Sequence, residues 1–259
     1  MKVNVSSLNT LEYCPRVVYL RDALRLKPEP TEEMVRGLLG HAVRKELSIR
    51  QPRVLECAGD LSRVEERLMD ELKTVLEDAP YIYREMLWDL NYAKFVDEIR
   101  AQVEGEISAM AFKLRTMVSQ LGLAESVKQI TPWRVEYTVR SDSLKLSGRV
   151  DKVMRHESIF PVEIKTGQPP QGVWSGDAIQ VCAYAMLLEE KFNQKIDYGY
   201  VEYVRSQESK PVLASEKLRR EVILARDSVL GILDGAVPEP IEDSGKCPAC
   251  SYRQLCITL

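Results

Sequence analysis

Residues 148–165 read GRVDKVMRHESIFPVEIK, and this stretch decides the fold. Apolar and polar side chains alternate through residues 162–165, which is typical of a β-strand with Glu163 and Lys165 on one face. Asp151 lies 12 residues before Glu163, a spacing that fits two adjacent strands joined by a turn. We therefore expect the two carboxylates to meet, with one ammonium group beside them.

Such a pair of carboxylates indicates a metal site for phosphate chemistry. Two carboxylates held together repel each other, and a divalent cation with a preference for oxygen ligands, Mg²⁺ or Mn²⁺, relieves that repulsion. The cation can activate a water molecule and stabilise charge on a phosphate, while Lys165 can orient the attacking water or neutralise the transition state. Because acidic-x-Lys triplets are common, an incidental surface salt bridge on a hairpin stays open as the alternative.

Outward from this centre, the hydrophobic pattern predicts an α/β protein. The predicted strands are 133–140, 144–153, 159–165 and 196–204, and the predicted helices are 6–26 with a break at Pro15, 32–50, 61–78, 94–121, 177–192 and 215–234. We expect Gln51-Pro52 to end the second helix, because proline disrupts a helix interior.

The composition excludes several classes of protein. The chain has 259 residues, of which 45% are apolar and 29% are charged, with a net charge of −3, so disorder is not expected. The absence of a long apolar run and the polar start of the sequence predict a soluble, cytoplasmic protein with no membrane partner. The net charge argues against a protein that coats nucleic acid with a generally basic surface, but it is compatible with a local basic groove. The densest basic cluster near the start is Arg16, Arg21, Arg25 and Lys27, which equally fits a solvated helix face.

Two further features strengthen the interpretation of the acidic pair as a functional site. Gln180 and Tyr184 are four residues apart, so they share one face of the helix that follows the Glu163-x-Lys165 strand. In this position they resemble the Gln-x-x-x-Tyr motif of RecB-like nucleases, a branch of the PD-(D/E)xK superfamily. His41 falls where that branch has an upstream helical histidine, although a lone histidine on a helix is more often structural.

The cysteines are unevenly distributed. Cys247, Cys250 and Cys256 form a C-x2-C-x5-C pattern at the end of the sequence, and a metal centre normally needs a fourth protein ligand. Cys14 is the obvious candidate, and Cys182 is expected to be a small core residue. From the cysteines alone, both a structural zinc site and an iron-sulfur cluster remain open.

The combination resembles the CRISPR-associated Cas-four exonuclease family. The resemblance is carried, in the family's order, by residues 7–19 (SLNTLEYCPRVVY), Gly40-His41, Asp151, Glu163-Ile164-Lys165, Gln180 with Tyr184, and the three C-terminal cysteines. It does not obviously cover residues 56–130, which look longer than the family's usual helical segment. The fold that it implies is a PD-(D/E)xK restriction-endonuclease-like α/β core, a small mixed sheet flanked by helices, with a helical insertion and an iron-sulfur cluster that joins the two terminal segments.

The same resemblance implies the site and the activity. A 4Fe-4S cluster would be bound by Cys14, Cys247, Cys250 and Cys256; Mn²⁺ or Mg²⁺ would be held by His41, Asp151, Glu163 and the Ile164 carbonyl; and the catalytic residues would be Asp151, Glu163, Lys165, Gln180 and Tyr184. Family members degrade single-stranded DNA, often from the 5′ end. They also trim prespacers with the Cas-one and Cas-two integrase during CRISPR adaptation.

We accordingly predict four regions and weigh three functions. The regions are an N-terminal helical segment (1–55), a helical insertion (56–130), a RecB-like nuclease core (131–236) and a cysteine-rich segment (237–259). The alternatives to a CRISPR exonuclease are a RecB-like repair or virus-borne nuclease and a non-catalytic, cysteine-stapled DNA-binding scaffold. The insertion would cover the groove, build a homo-oligomer or bind the integrase. We expect the N-terminal basic cluster and Lys152 to contact DNA phosphates.

Overall fold

The computed structural model describes residues 1–29, 31–82, 92–241 and 245–259. In that part of the chain a mixed sheet of six strands forms the centre. The strands are β1 (Val3–Asn4), β2 (Arg134–Ser141), β3 (Leu146–Arg155), β4 (Ile159–Lys165), β5 (Tyr198–Tyr203) and β6 (Glu208–Leu213). Their order is β1-β3-β4-β5-β6, with β2 also paired to β3. β4 and β5 run parallel, whereas β3 and β4 run antiparallel.

Helices lie on both faces of this sheet. Those of eight residues or more are α1 (Val5–Tyr13), α3 (Glu32–Ala58), α4 (Val64–Ile82), α5 (Tyr92–Leu121), α6 (Leu123–Ile130), α7 (Ser175–Phe192) and α8 (Glu216–Leu233); the short ones are α2 (Pro15–Val18) and α9 (Arg253–Thr258). Pro15 separates α1 from α2 as predicted, because a proline is tolerated at the first position of a helix but not inside one. No helix among the described residues is long and apolar enough to cross a membrane.

The prediction that Gln51-Pro52 ends the second helix is wrong. α3 continues through Pro52 to Ala58. Proline has no N–H, so Pro52 leaves the Ser48 carbonyl without its usual partner inside the helix. The ammonium group of Lys152 approaches that carbonyl at 3.4 Å from β3 and offers a replacement donor. A tertiary contact that the local sequence does not reveal therefore keeps the helix continuous.

The sequence pattern also misses the strand β6. Its sequence, ESKPVL, contains charged residues and Pro211, which weaken the strand signal. β6 pairs only with β5 within the described sheet, so it is an edge strand. An edge strand tolerates proline because one side of its backbone has no partner in the ladder.

Two large hydrophobic clusters among the described residues support the fold. One packs α1, α7 and α8 against the sheet, with Val150, Cys182 and Val222 fully buried. The other lies between α3, α4 and α5. α3 belongs to this second core and runs uninterrupted across the predicted boundary between residues 55 and 56. The predicted insertion also includes residues 83–91, which lie outside the described residues.

Candidate active site

Asp151 and Glu163 lie side by side on adjacent strands. β3 and β4 are antiparallel, and Lys152 pairs with Val162, which brings the preceding and following carboxylates together. Both acids are buried, each 7% exposed. Asp151 is fixed by its Oδ2 atom, which accepts a hydrogen bond of 2.8 Å from the backbone N–H of Ile164. The hairpin predicted from the spacing of these residues is therefore present.

Lys165 balances part of this negative charge. Its Nζ atom lies 3.1 Å from Glu163 Oε1 and 3.3 Å from Asp177 Oδ1, and it donates a hydrogen bond of 2.9 Å to Gln180 Oε1. Burial alone would lower the pKa of Lys165, but the two carboxylates raise it above its usual value. The side chain is therefore a fixed cation at neutral pH.

The first turns of α7 hold the acid and the lysine in place. Gln180 Nε2 donates to Glu163 Oε1 at 2.7 Å, so one amide orients both charged groups. Tyr184 donates to the Arg149 carbonyl at 3.0 Å and thereby fixes α7 to β3. Gly148 permits this approach, because a Cβ atom there would lie only 2.7 Å from the Tyr184 ring. The expectation that Gln180 and Tyr184 pack beside the acidic strand is met by this geometry.

Glu163 has one buried oxygen that no described residue satisfies. This Oε2 atom has no hydrogen-bond partner in the part of the chain that the structure describes. Burial and the neighbouring Asp151 raise the pKa of Glu163 to about 8, against the opposing effect of Lys165. A buried carboxylate oxygen without a donor is costly, and a divalent cation would satisfy it. The oxygen-rich donor set therefore fits the predicted Mg²⁺ or Mn²⁺.

His41 and Lys45 face this pair from α3. His41 lines the same cavity as Glu163 and Lys165. Burial lowers the pKa of His41, only partly offset by Asp151, so the ring is neutral at physiological pH, the state required of a metal ligand. Lys45, four residues further along the helix, forms ion pairs with both Asp151 and Glu136.

Sequence reasoning missed Lys45 and Glu136. The four-residue spacing from His41 to Lys45 was an available signal, because it places both on one helix face. Glu136 has a φ of 51°, in the left-handed region that a residue in a strand rarely adopts. Its carboxylate bridges Lys45 and Arg149, with a distance of 2.7 Å to Arg149 Nε. No local sequence signal predicts that backbone conformation.

The candidate ligands do not form a closed metal site in this arrangement. Across residues 1–29, 31–82, 92–241 and 245–259, no group of three or more His, Cys, Asp or Glu side chains is arranged to hold a metal ion. The Lys45 ammonium occupies the position beside Asp151 that a cation would approach. A divalent cation bound to Asp151 would therefore compete with Lys45 for that carboxylate.

The expected phosphate contacts are only partly present. Arg21 lines the active-site cavity, although it is paired with Asp22. Arg16 is buried and donates to the Pro238 carbonyl at 3.1 Å, so it is structural. The expectation for Lys152 is wrong, because side chains alternate along β3 and Lys152 points to the face opposite Asp151. There it is buried against Glu202 at 2.8 Å.

The four predicted cluster cysteines meet in one cavity. Cys14 in the N-terminal segment and the C-terminal Cys247, Cys250 and Cys256 line it together. Burial and the neighbouring thiols raise the pKa of Cys250. The remaining thiols lie elsewhere, because Cys182 is buried in α7 and Cys57 is exposed. Four thiols without a carboxylate are the donor type of zinc and iron-sulfur sites, although among the described residues no three of them are arranged to hold a metal ion.

Direct contacts also join the two terminal segments. Tyr13 donates to the Lys246 carbonyl at 2.9 Å, and Lys246 donates to the Tyr13 carbonyl at 3.1 Å. Tyr252 packs on Val17 and Leu20. The C-terminal residues Cys250 and Tyr252 also line the active-site cavity, so the cysteine segment forms one wall of the acidic site.

Comparison with known proteins agrees with this geometry. Residues 2–257 match the profile of the PD-(D/E)XK nuclease superfamily. The chain is 31% identical over 125 residues to a CRISPR-associated exonuclease Cas4 of Rhodospirillum rubrum, covering 46% of this chain and 37% of that protein. The resemblance predicted from the sequence motifs is thus confirmed.

Two further relatives extend the comparison. A Cas4/endonuclease Cas1 fusion of Geobacter sulfurreducens is 31% identical over 125 residues, 46% of this chain and 22% of the fusion. The CRISPR-associated exonuclease Csa1 of Saccharolobus solfataricus is 26% identical over 197 residues, 72% of this chain and 62% of that protein. The match therefore covers well under two thirds of the length of the R. rubrum Cas4 and of the G. sulfurreducens fusion.

The raised pKa of Glu163 predicts a pH-dependent affinity for Mn²⁺. Glu163 must lose its proton to bind a cation, so the affinity should rise by about tenfold between pH 6 and 7 and level off above pH 8. His41 contributes little to this rise, because its pKa is lowered and the ring is already neutral over most of the range. Isothermal titration calorimetry with Mn²⁺ at several pH values measures the effect. Glu163→Gln, which cannot titrate, should bind weakly with a flat profile; an equally flat wild-type profile would contradict the assignment.

Proposed function

The chain belongs to the PD-(D/E)XK nuclease superfamily, and from this premise we propose that it is a divalent-metal-dependent DNA exonuclease of CRISPR systems. Its substrate is single-stranded DNA, degraded in the 5′-to-3′ direction, and its role is to process prespacer ends during adaptation. The observation that carries the proposal is the buried pair Asp151 and Glu163, with the unpartnered Oε2 atom of Glu163 beside a cavity that Lys165 also lines.

Each residue of the acidic site has a separate role in this proposal. Asp151, Glu163, His41 and the Ile164 carbonyl would hold Mn²⁺ or Mg²⁺, which supplies Lewis-acid stabilisation of charge on the phosphate. Lys165 remains protonated and directs its ammonium group at the scissile phosphate, where negative charge develops. Gln180 fixes the relative positions of Glu163 and Lys165 through its two amide atoms.

Tyr184 and Asn9 are positioning residues. Tyr184 is held between Gln180 and the Arg149 carbonyl, so it helps to hold Gln180 in place beside the acidic pair. Asn9 donates to Asp177 Oδ1 at 2.9 Å and to Gln180 Oε1 at 3.0 Å, which ties α1 to the start of α7. The N-terminal segment thus contributes directly to the order of the site.

We further propose that Cys14, Cys247, Cys250 and Cys256 bind a 4Fe-4S cluster. Because the segment that contains Cys250 also forms a wall of the active-site cavity, the cluster would shape the path of the DNA rather than transfer electrons. It would also reinforce the hydrogen bonds that join the two ends of the chain.

The proposed partners follow from the same relatives. A protein that unites Cas4 and Cas1 in one chain supports an association of this chain with Cas1, and we extend this proposal to Cas2 as the second subunit of the integrase. The surface of α4 and α5 is a candidate for this contact or for a homo-oligomer, because exposed apolar side chains such as Phe112 interrupt its polar face.

Loss of either Glu163 or Lys165 should slow DNA cleavage strongly. Glu163→Ala and Lys165→Ala should each lower the rate by about 10²–10³-fold, because each removes charge stabilisation in the transition state. The assay uses anaerobically purified protein, Mn²⁺ and single-stranded DNA labelled at either end, which also gives the polarity.

The matched control is Lys191→Ala, which removes an exposed lysine further along α7 and should cleave normally. Full activity of folded Glu163→Ala would contradict the proposed site. Shortening from the 3′ end alone would contradict the proposed direction.

The cysteine assignment predicts a specific iron content. Anaerobic wild-type protein should contain about four iron and four sulfide ions per chain with a visible absorption band. Cys250→Ser should lose them and lower the melting temperature. Cys57→Ser, which changes an exposed thiol outside the cysteine cavity, should retain both properties. Stoichiometric zinc without sulfide in the wild-type protein would contradict the cluster and show that these cysteines hold zinc.

A further inference from the structure

Another cavity lies on the face of the sheet opposite the acidic site. Its volume is about 840 Å³, within the range of about 300–1,000 Å³ that is typical of ligand sites. Its floor comes from β3, β4 and β5, and its walls from α5 and α6. The side chains on the floor are Lys152, Met154, Phe160, Val162, Tyr198, Tyr200 and Glu202. None of them belongs to the proposed catalytic cluster.

Aromatic rings form one side of this cavity. The ring centroids of Phe160 and Tyr198 are 5.1 Å apart, and those of Phe160 and Tyr200 are 5.5 Å apart. All three side chains are half-buried rather than covered by the helices. A cluster of partly exposed rings inside a cavity is a surface on which nucleic-acid bases stack.

Positive charge lies beside the rings. Lys152 is buried and contacts Glu202 at 2.8 Å and Ser48 Oγ at 2.6 Å. Lys113 enters the same space from α5 and makes no hydrogen bond or ion pair with any residue that the structure describes. Its pKa is lowered chiefly by burial and by Lys152, with Glu202 opposing. The interior therefore holds two ammonium groups against one carboxylate, and the excess charge is on Lys113.

The rim adds one carboxylate in excess, Glu157, which is exposed to solvent, so that its charge is screened by water and salt. Lys128 is paired with Glu125 at 3.5 Å, and both residues line the cavity entrance. Glu157 and His156 lie at the turn between β3 and β4, where both are exposed to solvent. The chemistry of the site is thus set by its interior, where aromatic faces and an unneutralised ammonium group are adjacent.

We propose that this cavity binds nucleotides of a single strand, with bases on Phe160, Tyr198 and Tyr200 and a phosphate on Lys113. Each nucleotide pairs an aromatic base with one negative phosphate, which matches the rings and the excess charge. The inference rests on the proposed function for the identity of the strand, because a DNA exonuclease binds DNA. The site anchors the strand on the reverse face of the sheet, away from the residues that cleave it.

The test measures binding without cleavage, so its outcome is independent of whether the chain is a nuclease. The full chain is titrated with a fluorescent oligothymidylate of about 20 nucleotides in EDTA, longer than the footprint of one single-strand module. Lys113→Gln and Tyr200→Leu should each weaken binding by about tenfold. Lys113→Gln should also reduce the dependence of binding on salt by about one unit of the logarithmic slope.

Matched controls change the same residue types outside the cavity. Lys217→Gln removes a lysine whose side chain is 84% exposed, and Tyr81→Leu removes a tyrosine that is 83% exposed. Both should bind like the wild type. Equal binding by the cavity variants and the controls, with unchanged melting temperatures, would overturn the proposal.

Photocrosslinking keeps the test independent of folding defects. A strand that contains 5-bromodeoxyuridine should crosslink in the wild type to the peptide that contains Tyr198 and Tyr200. Unlabelled strand should displace this crosslink, whereas inorganic phosphate at the same phosphate concentration should not. Crosslinks confined to peptides of the acidic site, or displacement by inorganic phosphate alone, would overturn the assignment of this cavity to a strand.

Discussion

The rest of the structure is arranged around two acidic side chains that are buried side by side and repel each other once both are ionised. Asp151 and Glu163 sit on adjacent strands, each with little exposure to water, and such a pair is stable only where positive charge surrounds it. Lys165 provides this charge from the same strand as Glu163, and Lys45 provides it from α3. Because Glu163 still retains one oxygen without a partner among the described residues, the balance is incomplete without a further cation.

The need to hold this acidic pair in place explains why segments that are distant in sequence meet at the site. α7 follows β4 and returns across the sheet, so Gln180 can hold the acid and the lysine at once. α1 reaches α7 through Asn9, and the C-terminal cysteine segment reaches α1 through Tyr13. The two terminal segments therefore help to hold the geometry of the acidic site, and the proposed cluster that joins them would influence DNA binding and stability together.

The sequence predicts the centre of the fold better than its surroundings. The strand predicted at residues 159–165 is confirmed, and its local signal is the alternation of apolar and polar residues through 162–165. The continuation of α3 past Pro52 could not be predicted, because the compensating donor, Lys152, is distant in sequence. Lys45 shares a helix face with His41, which the sequence shows, but its pairing with Asp151 arises only when α3 packs beside β3. Local sequence patterns thus predict helices and strands, whereas the pairing of buried charges depends on the assembled structure.

The measurement that tests the central claim most directly is anomalous X-ray diffraction at the manganese edge from crystals soaked in Mn²⁺. We predict an anomalous peak in the cavity beside Asp151 and Glu163, with the Lys45 ammonium group moved away from Asp151. The peak should vanish in Glu163→Gln crystals soaked in the same way. Manganese bound elsewhere on the protein, with Lys45 still paired to Asp151 and no peak beside Glu163, would contradict the claim that this acid pair is built to hold a cation.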